Sequence, residues 1–219
     1  MIYKKIVVVA VLSGGLSACV LYGDFGEKPE ENVYTAFENA AKQEKSLFDD
    51  AKKLEGLEIE EEELYAQIIR EGKEHDKVAA KKIDQAVANV DEREKVLKNE
   101  QEVLAKASKE MKSVPSYVDK IEDKKLQKKV EEVEEAYKNR YETFQNMNEK
   151  YVELLTIEKE LYERLKVKET KLKEIGEKVK TVNKLNEEIQ KQKEVFNRYT
   201  KKYNEEKVAF YKEAKMKVK

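Results

Sequence analysis

Cysteine and histidine, two residue types that often perform catalysis or bind metals, are scarce in this 219-residue sequence. There is one cysteine, Cys19, and one histidine, His75. A di-iron site in a helical bundle needs two Glu-x-x-His motifs, whereas the residue three before His75 is Gly72, so we interpret His75 as a solvated residue at a helix start. Carboxylates are abundant, and a pair of them could serve as acid and nucleophile in a glycoside hydrolase.

Cys19 lies at the end of a segment typical of an export signal. Two lysines precede an apolar run over 6–12, which is too short to cross a bilayer as a permanent helix. The residues Leu16-Ser17-Ala18-Cys19 resemble a bacterial lipobox. This resemblance implies cleavage between Ala18 and Cys19 and a diacylglyceryl thioether on Cys19, with fatty acids such as palmitate. Two acyl chains hold a protein stably on a membrane, so we expect a lipoprotein on the outer face of the cytoplasmic membrane, facing the cell wall.

The composition favours long helices. Lys and Arg number 45 against 46 Asp and Glu, so charged residues make up 42% of the chain and the formal net charge is −1. Seven glycines and two prolines provide too few turns for a β-sheet protein. An exported, mildly acidic chain is also a poor candidate for binding nucleic acid.

Apolar residues recur at alternating spacings of three and four, as in a helix that buries one stripe, or seam. The clearest seam is Leu126, Val130, Val133, Tyr137, Arg140, Phe144, Met147, Tyr151, Leu154, Glu158, Leu161 and Leu165. Similar seams predict helical segments over 30–71, 73–113, 117–167 and 170–216.

The breaks between these segments decide the architecture. Ser116 and Asp119 suggest a capping box for the third segment, Thr170 is the N-cap candidate for the fourth, and Gly56 is interpreted as a kink. The prediction is an all-α fold, an elongated, antiparallel, up-and-down four-helix bundle with left-handed, coiled-coil-like packing. If the break near Thr170 is not a turn, a three-helix bundle is the alternative. We expect a signal peptide over 1–18, a flexible tether over 19–29 and a helical bundle domain over 30–217.

The chain resembles the YkyA-like cell-wall-binding lipoproteins of Gram-positive bacteria. The resemblance spans nearly all of the chain after the signal. It rests on the lipobox at Cys19 and on strings that occur in the same order, namely Lys28-Pro29-Glu30-Glu31, Glu63-Leu64-Tyr65, Val90-Asp91-Glu92-Arg93-Glu94-Lys95, 196–204 and Phe210-Tyr211-Lys212. It implies a helical bundle outside the membrane that associates with the wall, and it supplies no catalytic residues.

Several polar or aromatic groups are candidate binding residues. The acidic run over 58–63 is expected to be a solvated helix face rather than a weak calcium site. If the chain reverses near Ser116, Arg93 lies level with Arg140, where the two would grip an anion; the alternative is that each pairs with a glutamate. The tyrosines beside the seams could stack on sugar rings, although packing at the core boundary explains them too. They are Tyr141, Tyr162, Tyr199 and Tyr211. The basic C-terminus, with Lys217 and Lys219, suits a helix end as well as an anionic surface.

The function that these features predict is binding without catalysis or cofactor, as a spacer, scaffold or adaptor between membrane and wall. The partners expected are the membrane, through the lipid anchor, and peptidoglycan, another wall polymer, or a membrane or wall protein. The alternative is a peptidoglycan hydrolase that uses paired carboxylates. A transporter's solute-binding lipoprotein is excluded, because it would need a two-lobed α/β pattern.

Overall fold

A computed structural model of the chain describes residues 28–71, 76–167 and 169–216. The elements are α1 (Pro29–Gln43), a 3-10 turn (Glu44–Ser46), α2 (Leu47–Glu71), α3 (Asp76–Met111), the short α4 (Pro115–Val118), α5 (Lys124–Leu165) and α6 (Leu172–Glu213). No strand occurs in these described ranges, so the all-α prediction is confirmed. The predicted signal peptide, Ala18, Cys19, nearly all of the tether, His75 and the last two lysines lie outside them.

The described residues form two compact units. Unit 1 comprises Asp49–Asn99 and Asn146–Lys193, and unit 2 comprises 28–48, Glu100–Gln145 and 194–216. Each unit has its own apolar core. The core of unit 1 is built on α2, α3, α5 and α6, and that of unit 2 is built on α1, α3, α4, α5, α6 and the segment that leads into α5.

Helices that are joined by side-chain pairs within a unit run antiparallel, because rising residue numbers in one helix meet falling numbers in the other. In unit 1, α2 and α3 are joined by the pairs Asp50–Asn99 and Glu60–Asn89. The pairs Asp84–Lys166 and Arg93–Glu158 join α3 to α5. The pairs Lys150–Glu188 and Glu160–Lys178 join α5 to α6. In unit 2, the pairs Phe144–Phe196 and Tyr137–Tyr203 join α5 to α6. The pairs Tyr34–Tyr211 and Glu38–Lys207 join α1 to α6. The four-helix prediction is therefore confirmed, and the three-helix alternative is wrong because a turn separates α5 from α6.

The seam of α5 lies where the periodicity places it. On α5 the seam residues are buried, except Met147 and Leu165, which are half-buried. Burial of a full aliphatic side chain contributes about 1.5–3 kcal/mol, so a repeating seam stabilises a helix far more than its intrinsic propensity does. Gly56 does not end a helix, since α2 continues through it.

Both predicted N-caps are wrong. Ser116 lies within α4, where its hydroxyl donates to the carbonyl oxygen of Ser113 at 2.7 Å. The N-cap of α5 is Asp123, whose Oδ1 accepts from the backbone N–H groups of Lys125 and Leu126 at 2.8 and 3.2 Å. The Thr170 hydroxyl donates to the carbonyl oxygen of Arg164 at 2.8 Å, so it satisfies the end of α5 rather than the start of α6.

Candidate functional site

The most deeply buried ion pair of unit 1 joins α3 to α5. The Arg93 Nη2 group donates to Glu158 Oε2, and both side chains are 1% exposed. The Nε group of Arg93 also donates to Asn89 Oδ1 at 3.0 Å. Asn89 in turn donates to the carbonyl oxygen of Leu57 at 2.9 Å, which connects the pair to α2. These bonds satisfy the guanidinium on two sides.

Two glutamates of α2 bind tyrosines of α5 in the same interior. Tyr151 donates its hydroxyl to Glu58 Oε1, and Tyr162 donates to Glu61 Oε1. Burial is the largest influence on Glu58 and raises its pKa to about 7. Burial also lowers the pKa of Lys193 on α6 to about 8. We name Glu58, Glu61, Arg93, Glu158 and Lys193 the unit 1 charge cluster.

Unit 2 has a corresponding charged interior built around Arg140. Its Nη1 group donates to Glu44 Oε1 at 2.7 Å, and its Nε group donates to Thr200 Oγ1 at 3.0 Å. The guanidinium carbon lies 5.1 Å from the ring centre of Phe196 and 5.9 Å from that of Tyr203. Cation–π contacts at such distances stabilise a desolvated cation.

A second polar contact of unit 2 centres on Glu38 of α1. Its Oε1 accepts from the Tyr211 hydroxyl at 2.5 Å and from the Lys207 ammonium at 3.3 Å, and both donors belong to α6. Burial is the largest influence on Tyr211 and raises its pKa, so the hydroxyl remains a donor. Arg93, Arg140 and Lys207 thus each bind a glutamate of their own unit.

The structure separates the six predicted binding residues. Arg93 faces Glu158, not Arg140, so the predicted register between the second and third helices is wrong. The reason is that the chain does not reverse at Ser116: it continues through α4, and α5 starts only at Lys124. Tyr162 and Tyr211 are 0% and 1% exposed, which leaves no ring face for a sugar. Tyr141 and Tyr199 are half-buried in unit 2.

The acidic run over 58–63 is not the uniformly solvated face that was expected. Glu58 and Glu61 are 7% and 3% exposed. The sequence carried a signal for this outcome, because the steps of three and four through Ala51 and Leu54 continue to Glu58 and Glu61. Within the described ranges, no group of acidic, histidine or cysteine side chains is arranged to hold a metal ion.

A surface groove of about 640 Å³ lies between α3 and α5 in unit 1. Its lining includes Val90 and Leu155 and the carboxylates Glu94, Glu160 and Glu163. Hydrogen bonding to Lys178 lowers the pKa of Glu160, whereas the general acid of a glycosidase needs a raised pKa. Glu58 of unit 1, whose pKa is raised, does not line this groove.

No helix among the described residues is long and apolar enough to span a membrane.

Comparison with known proteins defines the class of protein. The family model YkyA, described as "Putative cell-wall binding lipoprotein", matches residues 28–213, and the chain therefore belongs to this family. A relative is the "Uncharacterized lipoprotein YkyA" of Bacillus subtilis (strain 168). It is 28% identical over 152 residues, which cover 69% of this chain and 68% of that protein. No solved structure matches the chain.

Proposed function

We propose that the protein is a lipid-anchored extracytoplasmic protein that binds the cell wall and acts as a spacer or adaptor, without catalysis. The observation that carries the proposal is the family match over 28–213 together with a single cysteine placed directly after an export signal. The pairing of the buried carboxylates with arginine, lysine and tyrosine inside each unit supports a binding role, because a hydrolase needs carboxylates that converge on an open cleft.

The anchor is assigned to Cys19. Its sulfur would carry the diacylglyceryl group, and cleavage after Ala18 would make Cys19 the new N-terminus. Each buried methylene contributes about 0.8 kcal/mol, so two acyl chains hold a protein stably. The helical part then remains at the outer face of the cytoplasmic membrane.

The anchor is tested by replacing Cys19 with alanine in cells fed a radiolabelled fatty acid. We expect the label to disappear from the Cys19→Ala protein and the protein to leave the membrane fraction. Ser46→Ala, a substitution at an exposed position, is the control and should be labelled like the wild type. Undiminished labelling of Cys19→Ala would contradict the anchor.

The wall contact is assigned to Tyr141 and Tyr199, the two candidate tyrosines that retain exposed surface. The guanidinium carbon of Arg198 lies 5.6 Å from the ring centre of Tyr199. Stacking on the two rings, at about 0.5–1.5 kcal/mol each, predicts a loss of roughly tenfold in affinity when both become alanine.

Sedimentation with purified sacculi tests this contact. The double variant Tyr141→Ala/Tyr199→Ala should bind roughly tenfold more weakly, while Tyr117→Ala, which changes another half-buried tyrosine of unit 2, should bind like the wild type. Equal binding by all three would refute these contacts. If the wild type does not sediment, wall binding itself is wrong and a protein partner replaces it. Zymography on the same sacculi tests the hydrolase alternative, and clearing by the wild type would establish that alternative.

A further inference from the structure

We infer that unit 1 contains a proton-binding site at Glu58, and that the packing of α2 in this unit is therefore sensitive to pH near neutrality. The inference does not depend on wall binding. It rests on the charge balance, the hydrogen bonds and the burial of the unit 1 charge cluster.

The charge balance of the cluster is uneven. Its five members are each less than one-tenth exposed. Three of them are carboxyls, Glu58, Glu61 and Glu158, and only two are cations, Arg93 and Lys193. With every member ionised, these five groups would carry a net charge of −1, and buried charge is costly in a medium of low dielectric constant. One bound proton removes this excess.

The hydrogen bonds indicate which carboxyl takes the proton. Glu158 accepts from Arg93 in an ion pair, and Glu61 accepts from Tyr162. Glu58 accepts from Tyr151 through Oε1 only. Its Oε2 is buried and has no hydrogen-bond partner among the described residues. An ionised carboxylate can only accept hydrogen bonds, and a buried charge with an unsatisfied oxygen is costly. We therefore assign the proton to Glu58.

The groups that face Glu58 come from the other three helices of unit 1. They are Arg93 on α3, Tyr151 and Glu158 on α5, and Lys193 on α6. On α2 itself, the buried Glu61 lies three residues further along the helix. Tyr151, Arg93 and Lys193 favour the charged form, whereas Glu158 opposes it. Burial outweighs them all and raises the pKa of Glu58 to about 7 from the ordinary value of 4.5.

The sign of the pH effect follows from these two values. Between pH 4.5 and about 7 the folded protein keeps a proton on Glu58 that the unfolded chain has released. Stability falls with rising pH wherever the folded state binds more protons. The contribution of Glu58 is therefore fully lost once the pH passes about 7, where an unpaired negative charge in the core loosens α2.

Thermal unfolding of the full-length chain in detergent micelles, from pH 4.5 to 8, tests the inference. We expect the melting temperature of the wild type to fall as the pH rises, and that of Glu58→Gln to fall distinctly less, since the amide cannot ionise. Glu63→Gln, the same substitution at an exposed position of α2, should follow the wild type. Glu134 of unit 2 also has a pKa raised to about 7, chiefly by burial, so the difference between variants isolates Glu58. Parallel profiles for wild type and Glu58→Gln would overturn the inference.

A direct titration of the wild type covers the case in which Glu58→Gln does not fold. Carbon-13 NMR of the assigned glutamate carboxyl carbons should show that Glu58 titrates with a midpoint near pH 7. Glu134 is expected to titrate in the same range, so the Glu58 signal has to be assigned before it is read. A Glu58 midpoint near the ordinary 4.5 would refute the proton site.

Discussion

Replacing Arg93 with methionine tests the role of the buried charges most directly. Methionine keeps an unbranched apolar stem of similar length but removes the guanidinium. Glu158, which is 1% exposed, would then face the core without its cation. Removing one partner of a buried ion pair costs about 3–5 kcal/mol. For a chain of this size each kcal/mol lowers the melting temperature by about 2–4 °C, so we expect a drop of roughly 10 °C.

The double variant Arg93→Met/Glu158→Leu separates the cost of a stranded charge from the value of the pair. Replacing both charges with apolar groups of similar volume is often neutral or stabilising. We therefore expect the double variant to recover most of the stability lost in Arg93→Met. Urea unfolding followed by circular dichroism measures the free energy of unfolding of the wild type, of the single variants Arg93→Met and Glu158→Leu, and of the double variant, which together form a double-mutant cycle.

The exposed pair Lys138–Glu142, whose side chains are 76% and 55% exposed, is the matched control. Removing Lys138 should cost less than about 0.5 kcal/mol, because water already screens the pair. The reasoning fails if Arg93→Met costs less than about 1 kcal/mol, or if the double variant loses as much as the two single variants together.

Two further predictions concern packing and capping. Leu161→Lys places an unpaired charge at a 0% exposed seam position and should lower the free energy of unfolding by about 4 kcal/mol or more. Val152→Lys, at a 43% exposed position of the same helix, should change it by less than about 0.5 kcal/mol; equal effects in urea titrations would refute the seam. Asp123→Ala should cost about 1 kcal/mol by removing the N-cap of α5. Ser116→Ala should cost distinctly less in the same assay. If Ser116→Ala destabilised the protein more than Asp123→Ala, the capping box at Ser116 that the sequence suggested would be supported instead.

Local periodicity explains why the helices could be predicted. The seam of α5 repeats over many turns, and each repeat is written in the residues of that helix alone. Arg140 was predicted as a position of this seam on the same basis, and Arg93 was predicted to lie level with it. Their glutamate partners could not be named, because a partner on another helix depends on register, and register is set by the chain between the helices.

The segment between α3 and α5 illustrates this limit. Ser116 follows Pro115 and suggests a reversal at that point, yet α4 continues the packing of unit 2 and the helix resumes only after Asp123. Because α5 starts later than the sequence suggests, the residue opposite Arg93 is Glu158 and not Arg140. A few residues of connection therefore decide whether two cations repel or a cation and a carboxylate attract.

The sequence by itself determined that the chain is helical and that four long segments bury one stripe each, and it predicts an export signal before the single cysteine, because these features are encoded by neighbouring residues. Only the tertiary structure decided which charges meet and that Glu58 and Glu61 are buried. The physical reason is that burial and ion pairing depend on groups contributed by distant helices, whose alignment no local pattern specifies.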